Sequence, residues 1–335
     1  MKIYKSTPFA AILLACACVA AALTQDQPGK ATIVAELGPP PSWAYAVNPP
    51  ASAAEARKKP KDDAVRHVPG STAAFTAAQI GDLYAAVDWH PDGHPAMPEV
   101  VAHGRKPELF ACGYCHLPNG EGRPENASLA GLPAAYIARQ MADFREGRRK
   151  SSEPRQGPVG YMVSLASRTN DDEVRAAAEY FSALKPKEWI GVVETKTAQK
   201  TRVAGWMLVP TVGREPIGDR IIETAVNLEQ TELRNDTSGF IAYVPAGGIA
   251  KGKALVTTGG GKTVPCRICH GSDLRGKNDV PSIAGRSPSY IIRQLYDIRS
   301  GARAGTNTAL MKPTVAKLTL DDMVSIAAYS SSLHP

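Results

Sequence analysis

Apolar positions recur at helical spacing in one segment of this 335-residue chain, and the same pattern returns farther along. The segment Leu129-Ala-Gly-Leu-Pro-Ala-Ala-Tyr-Ile-Ala-Arg-Gln-Met-Ala-Asp-Phe-Arg-Glu-Gly-Arg-Arg149 aligns with Ile283-Ala-Gly-Arg-Ser-Pro-Ser-Tyr-Ile-Ile-Arg-Gln-Leu-Tyr-Asp-Ile-Arg-Ser-Gly-Ala-Arg303 at a shift of 154. Tyr136, Arg139, Gln140 and Asp143 thereby match Tyr290, Arg293, Gln294 and Asp297. Periodicity that ends near a glycine predicts one helix in each copy. Beyond it the second copy is five residues shorter, and a shift of 149 carries Asp172, Tyr180 and Leu184 onto Asp321, Tyr329 and Leu333. The acidic pairs Asp171/Asp172 and Asp321/Asp322 sit where a final helix would start, the end that favours negative charge. The chain therefore reads as two copies of one unit.

Other stretches break this pattern. Within 188–249, Val203, Trp206 and Leu208 with the turn Val212-Gly-Arg-Glu-Pro-Ile-Gly218 predict short strands and a hairpin. Residues 24–70 are rich in proline, alanine and charge, including Pro39-Pro40-Pro41 and Lys58-Lys59-Pro60-Lys61, and read as a linker or a wrapping arm. At the N-terminus, Lys2 and Lys5 precede the apolar run Thr7 to Leu23, an export-signal pattern that is short for a membrane span of about 20 residues. Two processing routes stay open. Leu13-Leu14-Ala15-Cys16 resembles a lipoprotein box that would lipidate Cys16, and Val19-Ala20-Ala21-Ala22 fits an ordinary signal-peptidase site.

The hydrophobic fraction, 43%, suffices for a packed core, and the length suits about two domains. Formal net charge is +7, or +5 once Lys2 and Lys5 are removed with the first 22 residues. That balance suits an acidic protein partner or an ordinary solvated surface. No stripe of Lys and Arg interleaved with aromatics is present, which argues against nucleic acid.

Cys16 and Cys18 lie in the signal region, and the other four cysteines form Cys112-Gly-Tyr-Cys115-His116 and Cys266-Arg-Ile-Cys269-His270. This C-x-x-C-H pattern is that of covalent haem attachment. Two thiols on one helical turn can add to the two vinyl groups of haem, and the next histidine then reaches the iron. A zinc ribbon would place its cysteine pairs about 15–20 residues apart; here Cys112 and Cys266 are 154 apart. A disulfide does not explain the histidine after each pair, and a thioredoxin-like redox pair calls for a βαβ pattern nearby, which the sequence does not show.

The repeat also selects a second iron ligand. Of seven methionines, Met141 matches Leu295 and Met323 matches Val174, which marks both as packing residues. Met162 shifts by 149 onto Met311, and both are expected in a loop between the repeat helix and the last helix, 46 residues after His116 and 41 after His270. The proposed ligands are therefore His116 with Met162 and His270 with Met311, with Met97 or Met207 next in line at the first site.

On these residues the chain resembles the two-domain class I cytochromes c, in the layout of the dihaem cytochrome c4 group. The resemblance covers about 71–187 and 250–335, and it rests on both C-x-x-C-H motifs, Leu129-Ala-Gly131, Ile283-Ala-Gly285, the Tyr/Gln helix, the methionines and the last helix with Tyr180 or Tyr329. It implies a mainly α fold with two tandem cytochrome c domains, 71–187 and 250–335, and a small β-containing insertion at 188–249. Residues 1–22 would be the signal peptide and 23–70 the Pro-rich linker. It implies two haem c groups with iron held by His and Met on opposite faces. In the family a backbone carbonyl, typically of proline, accepts the proton of the proximal histidine; Pro281 fits that place, and Ala127 occupies it in the first copy.

The implied function is electron transfer in the periplasm, as a carrier or as the electron-transfer subunit of a respiratory or dehydrogenase system, with redox proteins as partners and an anchored form if Cys16 is lipidated. The alternative is a dihaem redox enzyme, peroxidase-like or thiosulfate dehydrogenase-like; the first needs an open iron position and the second an axial cysteine. Arg214, Arg220 and Arg234 could meet haem propionates. His90 and His94 have the spacing of a metal pair, but Pro91 and Gly93 between them disfavour helix.

Overall fold

The computed structural model describes residues 37–50 and 63–335. The signal region with Cys16 and Cys18, and the Lys58–Lys61 run, lie outside the described residues. Among those described, helices predominate. They are α1 Ala77–Ile80, α2 Glu99–Ala102, α3 Cys112–His116, α4 Ala134–Arg145, α5 Gly157–Ala166, α6 Asp171–Ala183, α7 Leu228–Glu232, α8 Gly248–Thr258, α9 Arg267–His270, α10 Pro288–Ser300, α11 Thr308–Val315 and α12 Leu320–Ser331.

The repeated segment forms α4 and α10, and the acidic pairs open α6 and α12. Asn170 and Thr319 cap those two helices, each in a reciprocal box with the residue three positions on. In the second copy α8 lies against α12 at Gly252, where any Cβ would overlap the Ser325 carbonyl. The core of the first copy gathers Val101, Leu109, Ile137, Phe181 and Leu184; that of the second gathers Leu255, Ile292, Tyr296, Val324 and Ala327.

Between the copies, β3 (Ile190–Thr195), β6 (Ile222–Ala225) and β7 (Phe240–Pro245) form a sheet in the order β3-β7-β6, with β3 parallel and β6 antiparallel to β7. β4 (Thr197–Ala204) and β5 (Met207–Pro216) form a separate hairpin. β1 (Val65–Arg66) and β2 (Phe75–Thr76) pair near the start. The expected turn at Val212–Gly218 is corrected here: Val212 to Pro216 belong to β5, and the turn is Gly205-Trp206. Both turn residues have positive φ, 60° and 65°, as a tight hairpin between right-twisted strands requires. A lone glycine before tryptophan is a weak turn signal, which is why the Gly/Pro-rich stretch attracted the assignment.

Residues 37–48 wrap onto the second copy. Tyr45, 1% exposed, donates to Asp297 Oδ1 at 2.7 Å with its hydroxyl 3.1 Å from the Arg293 carbonyl, and Arg293 donates to the Ala44 carbonyl at 2.8 Å. Asn48 Oδ1 accepts from the Trp206 amide at 2.9 Å and so ties the arm to the hairpin tip.

Candidate haem sites

Each cysteine motif is a single helical turn. Cys112 and Cys115 lie on α3, while Cys266 caps α9 and Cys269 lies on it. A turn brings residues three apart to one face. None of the four is in a disulfide.

The two histidines share one arrangement. His116 Nδ1 lies 2.8 Å from the Ala127 carbonyl, and His270 Nδ1 lies 2.8 Å from the Pro281 carbonyl. A carbonyl only accepts, so each Nδ1 carries the proton and each Nε2 keeps its lone pair. Burial holds both imidazoles below their ordinary pKa, against the pull of those carbonyls. A neutral ring with a fixed tautomer is the form that ligates iron.

His116 and Met162 line one cavity. Its wall also includes Leu132, Ile137 and Phe144 from the first copy and Tyr290 and Gln294 from the second. A wall that carries both candidate ligands among apolar side chains suits a bound cofactor. Met141 lines the same cavity, although its counterpart is Leu295. Met97 packs against the first core, and Met207 is enclosed with Leu117, Trp189 and Phe240. In the second copy Met311 and Cys266 pack against one core.

The expected loop setting of the methionines does not hold. Met162 lies on α5 and Met311 on α11. Ten and eight residues are too short to show a period, and Pro158 and Pro313 look like breakers. Pro158 instead occupies the first turn of α5, where its missing N–H costs nothing.

Of the three arginines considered for propionates, only Arg234 reaches a cysteine motif. Its guanidinium lies 3.5 Å from the Tyr114 ring centroid and donates to the Tyr114 carbonyl at 2.7 Å. Arg214 bonds to Thr197, and Arg220 pairs with Glu215 at 2.9 Å. His90 and His94 face separate carboxylates, Asp236 at 2.5 Å and Asp88 at 3.2 Å.

Sequence reasoning aligned Arg149 with Arg303 and gave neither a role. Arg149 donates to Gln140 of its own copy at 2.9 Å and to Tyr290 of the other at 2.7 Å. Arg303 donates to Gln294 at 2.9 Å and across to Tyr136 at 3.0 Å. Their backbones pair as an antiparallel bridge. The signal was present: four polar residues preserved on a half-buried helix face in both copies mark a polar contact.

The insertion also secures the turn behind His116. Leu117 has φ 62° and ψ 155°, a region that disfavours side chains, and the matching residue of the second copy is Gly271 at φ 89°. Leu117 is 2% exposed and is held by Trp189, Met207 and Phe240. Trp189 also donates to the Gly122 carbonyl at 3.0 Å.

The chain is similar to known cytochromes c. The family model for cytochrome c matches residues 104–185. Cytochrome c4 of Stutzerimonas stutzeri is 36% identical over 235 residues, 68% of this chain and 86% of that protein. A thiosulfate dehydrogenase electron acceptor of Stutzerimonas stutzeri strain A1501 is 36% identical over 69% of this chain and 82% of its own length. Among solved structures, the cytochrome c4 of Acidithiobacillus ferrooxidans aligns at a TM-score of 0.44 and 25% identity, covering 66% of this chain and 98% of that one.

Proposed function

For a chain that belongs to the cytochrome c4 family and transfers electrons through covalently bound haem c, we propose the periplasmic role of a carrier or electron-transfer subunit, with a dehydrogenase as one redox partner. Bound haem supplies an iron that passes between ferric and ferrous states. The residues of this chain hold and orient it. Cys112 and Cys115 would attach one group and Cys266 and Cys269 the other. His116 and His270 would ligate through Nε2, with Met162 and Met311 as the second ligands.

The observation that carries this reading is the matched pair of histidines. Each donates Nδ1–H to a carbonyl eleven residues on, at the same distance of 2.8 Å. The thiosulfate dehydrogenase electron acceptor among the relatives supports a dehydrogenase as donor. The export-type N-terminus supports the periplasm, with Cys16 lipidation deciding between anchored and free forms. No helix among the described residues is long and apolar enough to cross a membrane. Two tandem domains, 71–187 and 250–335, joined by the 188–249 insertion, are the division proposed here; two cores support two units, and the second also takes in Ile221, Ala242 and Val244 of the insertion.

Intact mass should show two haem groups. The oxidised protein should show a weak band near 700 nm, which reports iron–thioether bonding in such cytochromes. Met162→Ala and Met311→Ala should each remove part of that band. An unchanged band in Met162→Ala would transfer the first site to another methionine, with Met141 the first to try.

A further inference from the structure

We propose that Trp206, at the tip of the β4–β5 hairpin, is a positioning residue for Met162: its ring seats the first turn of α5 and so sets how firmly that methionine holds the iron of the first haem. The proposal rests on the reading of Met162 as an iron ligand.

α5 is lightly anchored for an element that carries a ligand. Only Pro158 and Ala166 of this helix are buried. At its far end the Ala166 carbonyl accepts from Arg145 at 3.1 Å, and on its outer side the rings of Tyr161 and Phe110 meet edge to face at 6.0 Å. At its start the Trp206 ring lies directly against the backbone of Gly157. A Cβ there would fall 2.4, 2.7 and 2.9 Å from Cζ2, Cη2 and Cε2 of the indole, so only glycine admits the contact. Gln156, Pro158, Val159 and Met162 all line the cavity. The ring therefore presses on the helix beside the cavity wall, and Met162 follows little more than one turn later. The second copy lacks this arrangement: the shift of 149 carries Gly157 onto Thr306, which has a Cβ and is exposed.

The ring is held where it is at a cost. Trp206 has φ 65°, where a bulky side chain is strained. A two-residue hairpin turn takes glycine, asparagine or aspartate there more readily. The turn gives tryptophan no advantage, whereas the contact with α5 does. Asn48 of the wrapping arm fixes the same residue, accepting its amide proton at 2.9 Å. Trp206 thus ties the arm, the hairpin and the ligand helix together. Groups that hold a ligand in place tune the metal it binds.

The test uses the full haem-loaded chain. Imidazole displaces a thioether from ferric iron, and loss of the iron–thioether band reads how firmly the methionine is held. The titration is run in a Met311→Ala background, so that the band reports the first haem alone. Trp206→Gly removes the ring and relieves the positive φ, so the hairpin keeps its fold; the band should then disappear at about tenfold less imidazole, as for other groups that support a ligand. Trp206→Phe, which keeps a ring, should lie closer to the wild type. Gly157→Ala displaces the ring from the helix side. Alanine forms helix better than glycine, so propensity alone gives a firmer hold, and the proposal gives a weaker one. With Met311 restored, Trp206→Gly should lower one haem potential and leave the other, because a firm methionine raises the potential. Unchanged imidazole affinity in Trp206→Gly, a firmer hold in Gly157→Ala, or equal falls in both potentials would overturn the proposal. Met162→Ala separates the two readings. If it keeps the band, the ligand assignment fails and the proposal with it. If it loses the band while Trp206→Gly behaves as the wild type, the ligand stands and only the role of Trp206 falls.

Discussion

Replacing Asp322 with asparagine removes one charge from a side chain that is fully enclosed, at 0% exposure. The carboxylate has two kinds of partner. Lys262 Nζ lies at 2.8 Å and Lys251 Nζ at 3.0 Å. The Thr319 amide and hydroxyl, at 3.0 and 2.8 Å, complete the cap of α12. Asparagine keeps an oxygen for the cap but loses the charge-assisted bond from Lys262, worth about 1.5–3 kcal/mol, and the ion pair with Lys251, which keeps Asp321. The two lysines are 39% and 46% exposed and regain water, so the cost falls short of that for a stranded buried charge. The expected loss is roughly 2–3 kcal/mol at pH 7.

Burial opposes ionisation of Asp322, but Lys262, the Thr319 amide and Lys251 outweigh it and hold the carboxyl well below its usual range. A depressed folded pKa adds stability above the unfolded value and loses it as pH falls. With an unfolded value of about 3.9, going to pH 3 removes about 0.9 unit, or about 1.2 kcal/mol. The gap between wild type and Asp322→Asn should therefore narrow by that amount between pH 7 and pH 3. Guanidinium denaturation followed by circular dichroism measures it. A gap under about 0.5 kcal/mol at pH 7, the ordinary range for a surface change, or one that does not narrow at pH 3, would refute the reasoning.

Two further outcomes follow from the contacts around the first site and between the copies. Arg149→Ala with Arg303→Ala strands Gln140 and Gln294 together, so calorimetry should show the unfolding of the two copies separating, with the double variant non-additive relative to the singles. At Leu117, alanine loses the burial and keeps the unfavourable φ, whereas glycine loses the burial and relieves the backbone; Leu117→Gly should thus be about 1 kcal/mol more stable than Leu117→Ala, the reverse of the usual order, as read by chemical denaturation.

The sequence revealed what repeats. α4 and α10 showed themselves through periodicity reinforced by a second copy, and the starts of α6 and α12 through acidic pairs. The histidine carbonyl partners, Ala127 and Pro281, came from the resemblance and lie where it implies. What escaped was set by long-range contact. α5 and α11 are short, and tertiary packing rather than an internal period holds them as helices, α5 at the cavity wall and α11 on the second core. The Gly205-Trp206 turn needed knowledge of strand register. Arg234 was one of three equivalent-looking arginines, and only the tertiary fold brings it to Tyr114, 120 residues away.

The arginine exchange carries a consequence for how such a chain is built. Arg149 reaches Tyr290 while Arg303 reaches Tyr136, so residue meets counterpart in both directions, as across the axis of a symmetric dimer. Neither half completes its own hydrogen bonds alone. A half expressed separately would present Gln140, Tyr136 and Arg149 as a self-complementary face, able to pair with a second copy of itself through the contacts now made within one molecule. Covalent linkage then does one thing a free dimer cannot. It lets the two sides diverge, one gaining Arg234 over its cysteine motif and Trp189, Met207 and Phe240 around Leu117, while the shared seam keeps the old symmetry.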